Sequence, residues 1–194
     1  HVFRVLRVRD GEVVTVTDGA GNWRACRTVG GAIEPEGDTH REPLAANPLT
    51  IGFAVPKQDR PEWIVQKLTE IGVAHIAVLQ AERSVVRWDA ERGAKHMLKL
   101  DRVAREAIQQ SRQVWLPQIT GPVAAAEFLP GAVAAEPGGR AVIASDRVIA
   151  VGPEGGWTPT ELEMAADRVS LGPTVLRVET ATLVAAVRAS DHRM

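Results

Sequence analysis

The sequence predicts an α/β protein that carries a small β unit at its amino-terminal end. Three observations support this fold class. Short alternating segments separated by Asp-Gly turns fill residues 2–29. From Leu49 onward, apolar strand patterns alternate with amphipathic helix patterns. No apolar run approaches the roughly 20 residues that a membrane-spanning helix needs.

The amino-terminal segments are typical of antiparallel strands. Asp10-Gly11 and the stretch Asp18–Gly21 separate them, and Asp-Gly between alternating segments is a strong hairpin signal. Glu34–Pro48 carries prolines and charges without periodicity, so we expect a linker there. The predicted strands are FRVLRV (Phe3–Val8), EVVTVTD (Glu12–Asp18) and NWRACRTV (Asn22–Val29).

The α/β region opens with a strand, a helix and a second strand. LTIGFAV (Leu49–Val55) is apolar, Pro61–Ile71 places its apolar residues on one helix face, and VAHIAVL (Val73–Leu79) is apolar again. This order predicts a parallel pair of strands with a right-handed crossover. The later elements are a long helix over Ala94–Gln113, a short helix after Gly121-Pro122, strands over Ala141–Ala144, Val148–Val151, Arg168–Gly172 and Thr174–Val178, and a last helix over Ala181–Ser190.

Composition and cysteine content exclude several classes of protein. Hydrophobic residues make up 45% of the chain and charged residues 24%, as in ordinary globular proteins. The single cysteine, Cys26, excludes an intramolecular disulfide and a cysteine-based metal cluster, and we expect no metal. The first residues alternate apolar and basic types instead of forming the apolar block of a signal peptide, so we expect a cytoplasmic protein with no membrane partner.

One stretch has an excess of positive charge, although the net charge of the chain is −1. Residues 83–112 contain eight Lys or Arg residues and four acidic residues. Such a stretch is either a stripe that faces RNA phosphates or the solvated face of a helix, and charge alone does not separate the two.

The stretch VGPEGGWTPTELE (Val151–Glu163) joins an apolar strand to a helix through a glycine-rich turn. Thr158 at the N-cap, Pro159 at the first helical position and Glu161 at the third predict a capping box. A phosphate-binding P-loop would need a lysine and would not carry Glu154, and a dinucleotide fingerprint has different spacing. Two choices remain: a tight turn without a ligand, or a site for a ligand that is uncharged or cationic beside Glu154, such as an adenosine with a sulfonium group.

A second glycine turn lies closer to the carboxyl terminus. LGPTVLRVETA (Leu171–Ala181) contains this turn, a predicted strand and the start of the last helix. Two such turns at neighbouring strand ends predict one pocket at the carboxyl edge of a parallel sheet, where α/β proteins bind their ligands.

These blocks resemble the RsmE family of 16S ribosomal RNA uridine-N3 methyltransferases, which are S-adenosylmethionine (SAM)-dependent enzymes of the SPOUT superfamily. GPEGG alone would be a weak signal, but the ordered set extends over nearly the whole chain and is specific. The matching residues are His1, Val5-Leu6-Arg7, Gly11, Asp18-Gly19, Lys67, Glu70, Gly72, Glu82-Arg83-Ser84, Ala107, Gln110-Ser111-Arg112, Pro117, Gly152–Gly156, Glu161 and Leu171–Ala181.

The resemblance implies a PUA-like, RNA-binding β domain over residues 1–46 and a SPOUT domain over residues 47–194. In a SPOUT domain a parallel sheet with helices on both faces ends in a trefoil knot. The resemblance also implies a homodimer with its active site at the subunit interface, SAM as the cofactor, and the 16S rRNA of the small ribosomal subunit as the substrate. The residues implied in SAM binding are Val151, Gly152, Pro153, Glu154, Gly155, Gly156, Leu171, Gly172, Leu176, Thr180 and Ala181.

Catalysis at uridine N3 needs a base or a cation, because only the deprotonated nitrogen is a good nucleophile. We favour an arginine, Arg112 or Arg177, as the cation that stabilises the uracil anion and contacts RNA phosphate, and we interpret Glu179 as a structural or cofactor-contacting group and not as a base. The candidates near the pocket that the resemblance implies are Glu154, Glu179, Arg83, Arg112 and Arg177. Each has a plainer interpretation too, since Glu179 could cap the last helix and Arg83 could pair with Glu82 or a helix end. The residues implied in RNA contact are Arg7, Arg83, Ser84, Gln110 and Ser111.

Two other functional classes compete with methyl transfer. The first is a knotted RNA-binding protein without catalytic activity, and the intact GPEGG and LRVETA blocks argue against it. The second is a nucleotide-hydrolysing enzyme, which would need a P-loop lysine and metal-binding acids that the sequence lacks.

Overall fold

The computed structural model describes residues 8–57 and 60–191, which form two β-sheets and five α-helices. The smaller sheet is antiparallel, and its strand β2 pairs with each of the other three strands. The predicted hairpin at Asp18–Gly21 is confirmed. The strands are β1 (Val13–Thr17), β2 (Asn22–Val29), β3 (Ala32–Pro35) and β4 (His40–Arg41).

The larger sheet has six strands, and every neighbouring pair runs parallel. In chain order they are β5 (Thr50–Ala54), β6 (His75–Gln80), β7 (Gln118–Ala124), β8 (Val133–Ala141), β9 (Val148–Val151) and β10 (Asp167–Ser170). Across the sheet the order is β10-β8-β9-β5-β6-β7. The parallel pair predicted for the first strand–helix–strand unit is confirmed as β5 and β6.

Helices cover both faces of the larger sheet, as expected for this fold class. They are α1 (Arg60–Ile71), α2 (Ala90–Ser111), α3 (Ala125–Phe128), α4 (Pro159–Met164) and α5 (Val178–Asp191). Successive residues of β5 point to opposite faces: Ile51 and Phe53 join an apolar core with α1, α2 and α5, whereas Ala54 joins a second core with α3. The chain therefore buries its sheet on both sides, as parallel sheets require.

Several predicted boundaries are wrong. The strand predicted over Ala141–Ala144 is instead β8, which ends at Ala141, because the Asp146 carboxylate accepts a hydrogen bond from the Ile143 N–H (2.8 Å) and closes a turn there. The segment Thr174–Val178 is a loop up to α5, because β10 is the edge strand of the described sheet and no further strand pairs with this segment.

Other elements were placed only in part. β7 and β8 both contain glycine and proline residues. The sequence did not predict β7, and it placed β8 too far towards the carboxyl terminus. Part of the predicted linker pairs with β2, through β3 and β4. α2 begins at Ala90, four residues earlier than predicted, because the Asp89 carboxylate caps it by accepting from the Arg92 N–H (2.8 Å). The predicted strand Phe3–Val8 lies outside the described residues apart from Val8.

The small sheet is attached to the segment between α2 and β7. The Gly21 N–H donates to the Val114 carbonyl (3.0 Å), and the Leu116 N–H donates to the Gly19 carbonyl (2.8 Å). Trp115 between them donates its ring N–H to the Glu42 carbonyl (3.2 Å). The predicted division at residues 46 and 47 falls between the two sheets and stays a prediction. No helix in the described ranges is both long and apolar enough to cross a membrane.

Candidate functional site

A cavity of about 210 Å³ opens near the carboxyl ends of β9 and β10, beside the middle of β8. Three segments of the chain line it: residues 135–137 of β8, the loop after β9, and the loop between β10 and α5. Because parallel strands end at a common edge, the two glycine turns meet there as predicted, but the strands before them are not the predicted neighbours, since β8 lies between β9 and β10. We call the loop Gly152–Trp157 the first loop and the loop Leu171–Arg177 the second loop.

The first loop is fixed at both of its ends. The Gly156 N–H donates to the Pro153 carbonyl (2.8 Å), and Gly156 has a positive φ of 68°, a conformation that favours glycine. Trp157 is buried and donates its ring N–H to the Ala135 carbonyl (3.2 Å), which attaches the loop to β8. The predicted capping box then starts α4 and is confirmed: the Thr158 hydroxyl accepts from the Glu161 N–H (3.2 Å), and the Glu161 carboxylate accepts from the Thr158 N–H (2.9 Å).

The second loop turns sharply at Gly172, whose φ is 143°. The Gly172 N–H donates to the Ser170 hydroxyl (3.4 Å), and the Ser170 hydroxyl donates to the Gly172 carbonyl (3.2 Å). A Cβ built on either Gly156 or Gly172 would meet no protein atom within 4 Å. The chain is therefore open beside both turns, and a ligand can approach the main chain there.

The lining of the cavity is mainly apolar, with two carboxylates and the hydroxyl-bearing residues Ser170 and Thr174. Glu136 and Glu154 are its only charged side chains among the described residues, so no Lys or Arg side chain faces a bound molecule from this part of the chain. A phosphate would be repelled, whereas an adenosine with a cationic sulfonium group meets apolar walls and negative charge. The apolar lining residues are Val151, Trp157, Leu171, Val175, Leu176, Val178 and Ala181, with Ala135, Pro137 and Pro153.

Most of the residues predicted to contact SAM line this cavity. They are Val151, Gly152, Pro153, Glu154, Gly156, Leu171, Gly172, Leu176 and Ala181. Gly155 and Thr180 do not line it: Gly155 faces Arg83, and Thr180 lies exposed on α5.

Sequence reasoning missed the contribution of β8 altogether. Its Pro-Gly-Gly sequence is atypical of a strand, so Glu136 gave no signal of its own. Five further lining residues lie within the two predicted blocks or next to them, and taking every residue of both loops as a candidate would have included them. They are Trp157, Ser170, Thr174, Val175 and Val178.

The two candidate groups at the start of α5 have different environments. Glu179 is buried, and its carboxylate pairs with Arg60, so it serves the packing of α5 against α1. Arg177 is exposed between two cavity-lining residues, Leu176 and Val178. Within residues 8–57 and 60–191 its guanidinium has no hydrogen-bond or ion-pair partner, which leaves it available to a substrate beside the cavity.

Arg112 lies far from the cavity within one chain. It is the C-cap of α2, with a positive φ of 57°. α2 starts near the carboxyl end of β6, because the Gln80 side chain donates to the Trp88 carbonyl just before the helix (3.0 Å). The helix ends shortly before the amino end of β7. A helix of 22 residues is about 33 Å long, so Arg112 lies near the opposite edge of the sheet, together with Gln110 and Ser111.

Four of the eight basic residues in the stretch 83–112 form ion pairs, one of them Arg92 with Asp89 (3.6 Å). Lys95 pairs with Glu91 and Arg105 with Asp101 along α2, while Lys99 pairs with Glu62 of α1. This supports the solvated helix face over a continuous phosphate-binding stripe.

The remaining residues predicted to contact RNA are dispersed. Ser84 is buried, and its hydroxyl accepts from the Ala81 N–H (3.1 Å), so it stabilises a turn. Arg83 donates to carbonyls of the first loop. Arg7 lies outside the described residues. In the described part of the chain, no group of three or more His, Cys, Asp or Glu side chains could hold a metal ion.

Comparison with known proteins identifies the family. The family described as RNA methyltransferase domain matches residues 43–190, and the RNA methyltransferase PUA domain matches residues 1–27. The ribosomal RNA small subunit methyltransferase E of Mycobacterium bovis is 31% identical over 210 residues, covering 95% of this chain and 80% of the relative. The chain belongs to the ribosomal RNA small subunit methyltransferase E family.

Solved structures agree with this assignment. The methyltransferase E of Neisseria gonorrhoeae, bound to SAM, is 29% identical with a TM-score of 0.75 over 95% of this chain and 85% of its own. A Legionella pneumophila protein in complex with SAM is 26% identical with a TM-score of 0.83 over 98% of this chain and 87% of its own. The fold of this methyltransferase E family member is therefore shared with proteins that hold SAM.

Proposed function

We propose that this protein transfers a methyl group from SAM to N3 of a uridine in the 16S rRNA of the small ribosomal subunit. The observation that carries the proposal is the cavity formed by the two glycine loops, in a chain whose family members include SAM-bound structures. An RNA-binding protein without catalytic activity is not favoured, because such a protein has no need of this cavity.

The residues of the cavity fit SAM, which supplies a methyl group on a positively charged sulfur. Val151, Leu171 and Leu176 offer apolar contact for the adenine, and Glu136 and Glu154 offer negative charge for the cationic end. Gly156 and Gly172 allow close approach to the main chain. Holding donor and acceptor in line supplies much of the rate enhancement in such a transfer.

The acceptor nitrogen must lose its proton before or during the transfer. Bound SAM would supply a methyl group whose C–S electron pair stays with the departing S-adenosylhomocysteine, while the N3 proton passes to solvent. A nearby cation would favour this transfer by stabilising the uracil anion. Arg177 is the candidate within the same chain, because it is exposed beside the cavity and unpaired among the described residues. Glu179 is not proposed as the base, because its carboxylate is paired with Arg60.

Arg112 can take part only if a second copy of the chain brings it to the cavity. We therefore propose a homodimer with the active site at the subunit interface, in which Arg112, Gln110 and Ser111 contact RNA from the other protomer. The proposal also includes a trefoil knot around the second loop, a PUA-like RNA-binding domain over residues 1–46 joined to a SPOUT domain over residues 47–194, and a cytoplasmic location.

The test is transfer of an isotope-labelled methyl group from SAM to small ribosomal subunits isolated from cells that lack the enzyme. We expect a single N3-methyluridine in the 16S rRNA, located by mass spectrometry of nuclease fragments. The control is small subunits from wild-type cells, whose target uridine is already methylated and should take up no label. Label in another base, at the ribose, or nowhere would contradict the proposed reaction.

A further inference from the structure

The turn after β6 and the first loop are joined across the end of β5. β5 lies between β6 and β9 in the sheet, so the segments that follow β6 and β9 are not neighbours by strand pairing. The turn is rigid: the Ser84 N–H donates to the Ala81 carbonyl (3.1 Å), and the Ser84 hydroxyl accepts from the Ala81 N–H (3.1 Å). The backbone that carries Arg83 is therefore held in place.

Two side chains cross the gap between these segments in opposite directions. The Arg83 guanidinium donates to the carbonyls of Gly155 (3.2 Å) and Trp157 (3.1 Å). In return, the buried Glu161 carboxylate accepts from the Glu82 N–H (2.9 Å) while it also completes the capping box of α4. Two hydrogen bonds thus clasp the first loop to the turn after β6, and a third joins the same turn to the start of α4.

The glycine at position 155 fits this clasp and not a ligand. A Cβ on Gly155 would lie 3.3 Å from the Arg83 Cβ and 3.5 Å from the Arg83 carbonyl oxygen. Gly155 does not line the cavity, whereas its neighbours Gly156 and Trp157 do. The face of the loop that meets Arg83 therefore lies opposite the face that meets the cavity.

We propose that Arg83 is a positioning residue for the cofactor cavity, and not an RNA contact as the sequence resemblance implied. This inference rests on the proposed function, because it requires that the cavity binds SAM. Arg83 fixes two main-chain carbonyls, those of Gly155 and Trp157, from outside, so that the inner side of the loop keeps the shape that SAM needs. Without it the loop samples other conformations, and the apparent affinity for SAM falls by the fraction of time spent in them.

The test compares Arg83→Ala and Arg83→Lys with Arg87→Ala as the matched control. Arg87 is an exposed arginine of the same segment, and it donates to the Glu82 carbonyl (2.8 Å). It has no hydrogen bond or ion pair with the first loop among the described residues. Calorimetric titration with SAM gives Kd, and the methyl-transfer assay gives KM for SAM, KM for the ribosomal subunit, and kcat.

We expect Arg83→Ala to raise Kd and KM for SAM about three- to tenfold, with kcat at saturating SAM and KM for the subunit nearly unchanged. Arg83→Lys should recover part of the loss, because both bonds come from the single nitrogen Nη1 and an ammonium group can donate to the same carbonyls, although the lysine side chain is one bond shorter. Arg87→Ala should have the same Kd and KM for SAM as the wild type. Thermal unfolding profiles verify that all variants are folded. If Arg83→Ala is unfolded, Arg83→Lys alone is compared with the wild type.

Two results would overturn the assignment of Arg83. One is a normal Kd for SAM in folded Arg83 variants; the other is a raised KM for the subunit with normal SAM binding, which would restore the role in RNA contact. The two proposals fail separately. Wild-type protein that binds SAM but transfers no methyl group refutes the proposed reaction and leaves the clasp measurable through Kd, whereas wild-type protein that does not bind SAM refutes both.

Discussion

Arg140 shows how single residues hold the edge of the larger sheet together. Its guanidinium donates two hydrogen bonds to the buried Asp146 carboxylate (2.7 and 2.8 Å) and one to Asp167 of β10 (2.6 Å). The backbone N–H of Arg168, followed by Arg140, holds the pKa of the Asp167 carboxyl below its ordinary value of 3.8. β10 borders the second loop, so this network supports one wall of the cavity.

The lowered pKa of Asp167 makes a prediction about stability and pH. A carboxylate whose pKa falls on folding stabilises the native state above its unfolded pKa, and the contribution is lost as the pH drops through the lower, folded value. Asp167→Asn should therefore lower the Tm at neutral pH, and its difference from the wild type should shrink well below pH 3.8. Thermal unfolding followed by circular dichroism at both pH values measures this.

Asp38→Asn is the control for this measurement. Asp38 is exposed in the small sheet region and has no hydrogen-bond or ion-pair partner among the described residues. Its Tm should follow that of the wild type at both pH values. A Tm of Asp167→Asn equal to the wild type at neutral pH, or a difference that persists in acid, would contradict the role given to Asp167.

Elements with strong local signals could be predicted from the sequence. The start of α4 is encoded within Thr158–Glu161, because capping depends on residues that are neighbours in the chain, and the structure reproduces it. The same holds for α1 and the hairpin between β1 and β2, whose periodicity and turn residues are local.

Elements that depend on distant partners could not be placed in this way. β8 contains Pro137, Gly138 and Gly139, which disfavour strands and lie at a register shift in its pairing with β10. It forms because its first residues pair with β9 and both of its ends pair with β10. Conversely, Thr174–Val178 has β-branched residues but no strand to pair with, and it becomes the loop that lines the cavity. The cavity residues missed from the sequence are found largely in these two segments.

At the scale of the whole molecule, topology decides which predicted site residues can act together. The two glycine loops meet because β9 and β10 both run parallel to β8, which lies between them. The sequence could indicate the common edge but not the strand between. The separation of Arg112 from the cavity could not be read from the sequence, because it depends on the direction of α2 relative to the sheet. Arg177 can therefore act within one chain, whereas Arg112 needs a second protomer to reach the cavity.

The requirement for a partner can be tested by mixing two inactive variants. Arg112→Ala removes the cation, and Ala181→Leu fills the cavity from α5. If Arg112 acts across the interface, each variant alone should lose nearly all methyl transfer. An equimolar, re-equilibrated mixture should recover about a quarter of wild-type activity, since half of the dimers are mixed and each mixed dimer keeps one intact site.

The control mixes Arg112→Ala with Arg112→Ala prepared separately, and it should stay inactive. Full activity of Arg112→Ala alone would assign the anion-stabilising role to Arg177. Failure of the mixture to recover, although both variants exchange subunits, would remove Arg112 from the active site.

Calorimetric titration of the protein with SAM decides whether the cavity between the two glycine loops is the cofactor site. Ala181 lines the cavity, while its exposed neighbour Thr180 does not, so the two positions form a matched pair on one helix. We expect wild type and Thr180→Leu to bind one SAM per chain with similar Kd, and Ala181→Leu to bind at least about tenfold more weakly because its side chain occupies the site. Absence of binding by the wild type, or equal affinity of Ala181→Leu and Thr180→Leu, would contradict the account.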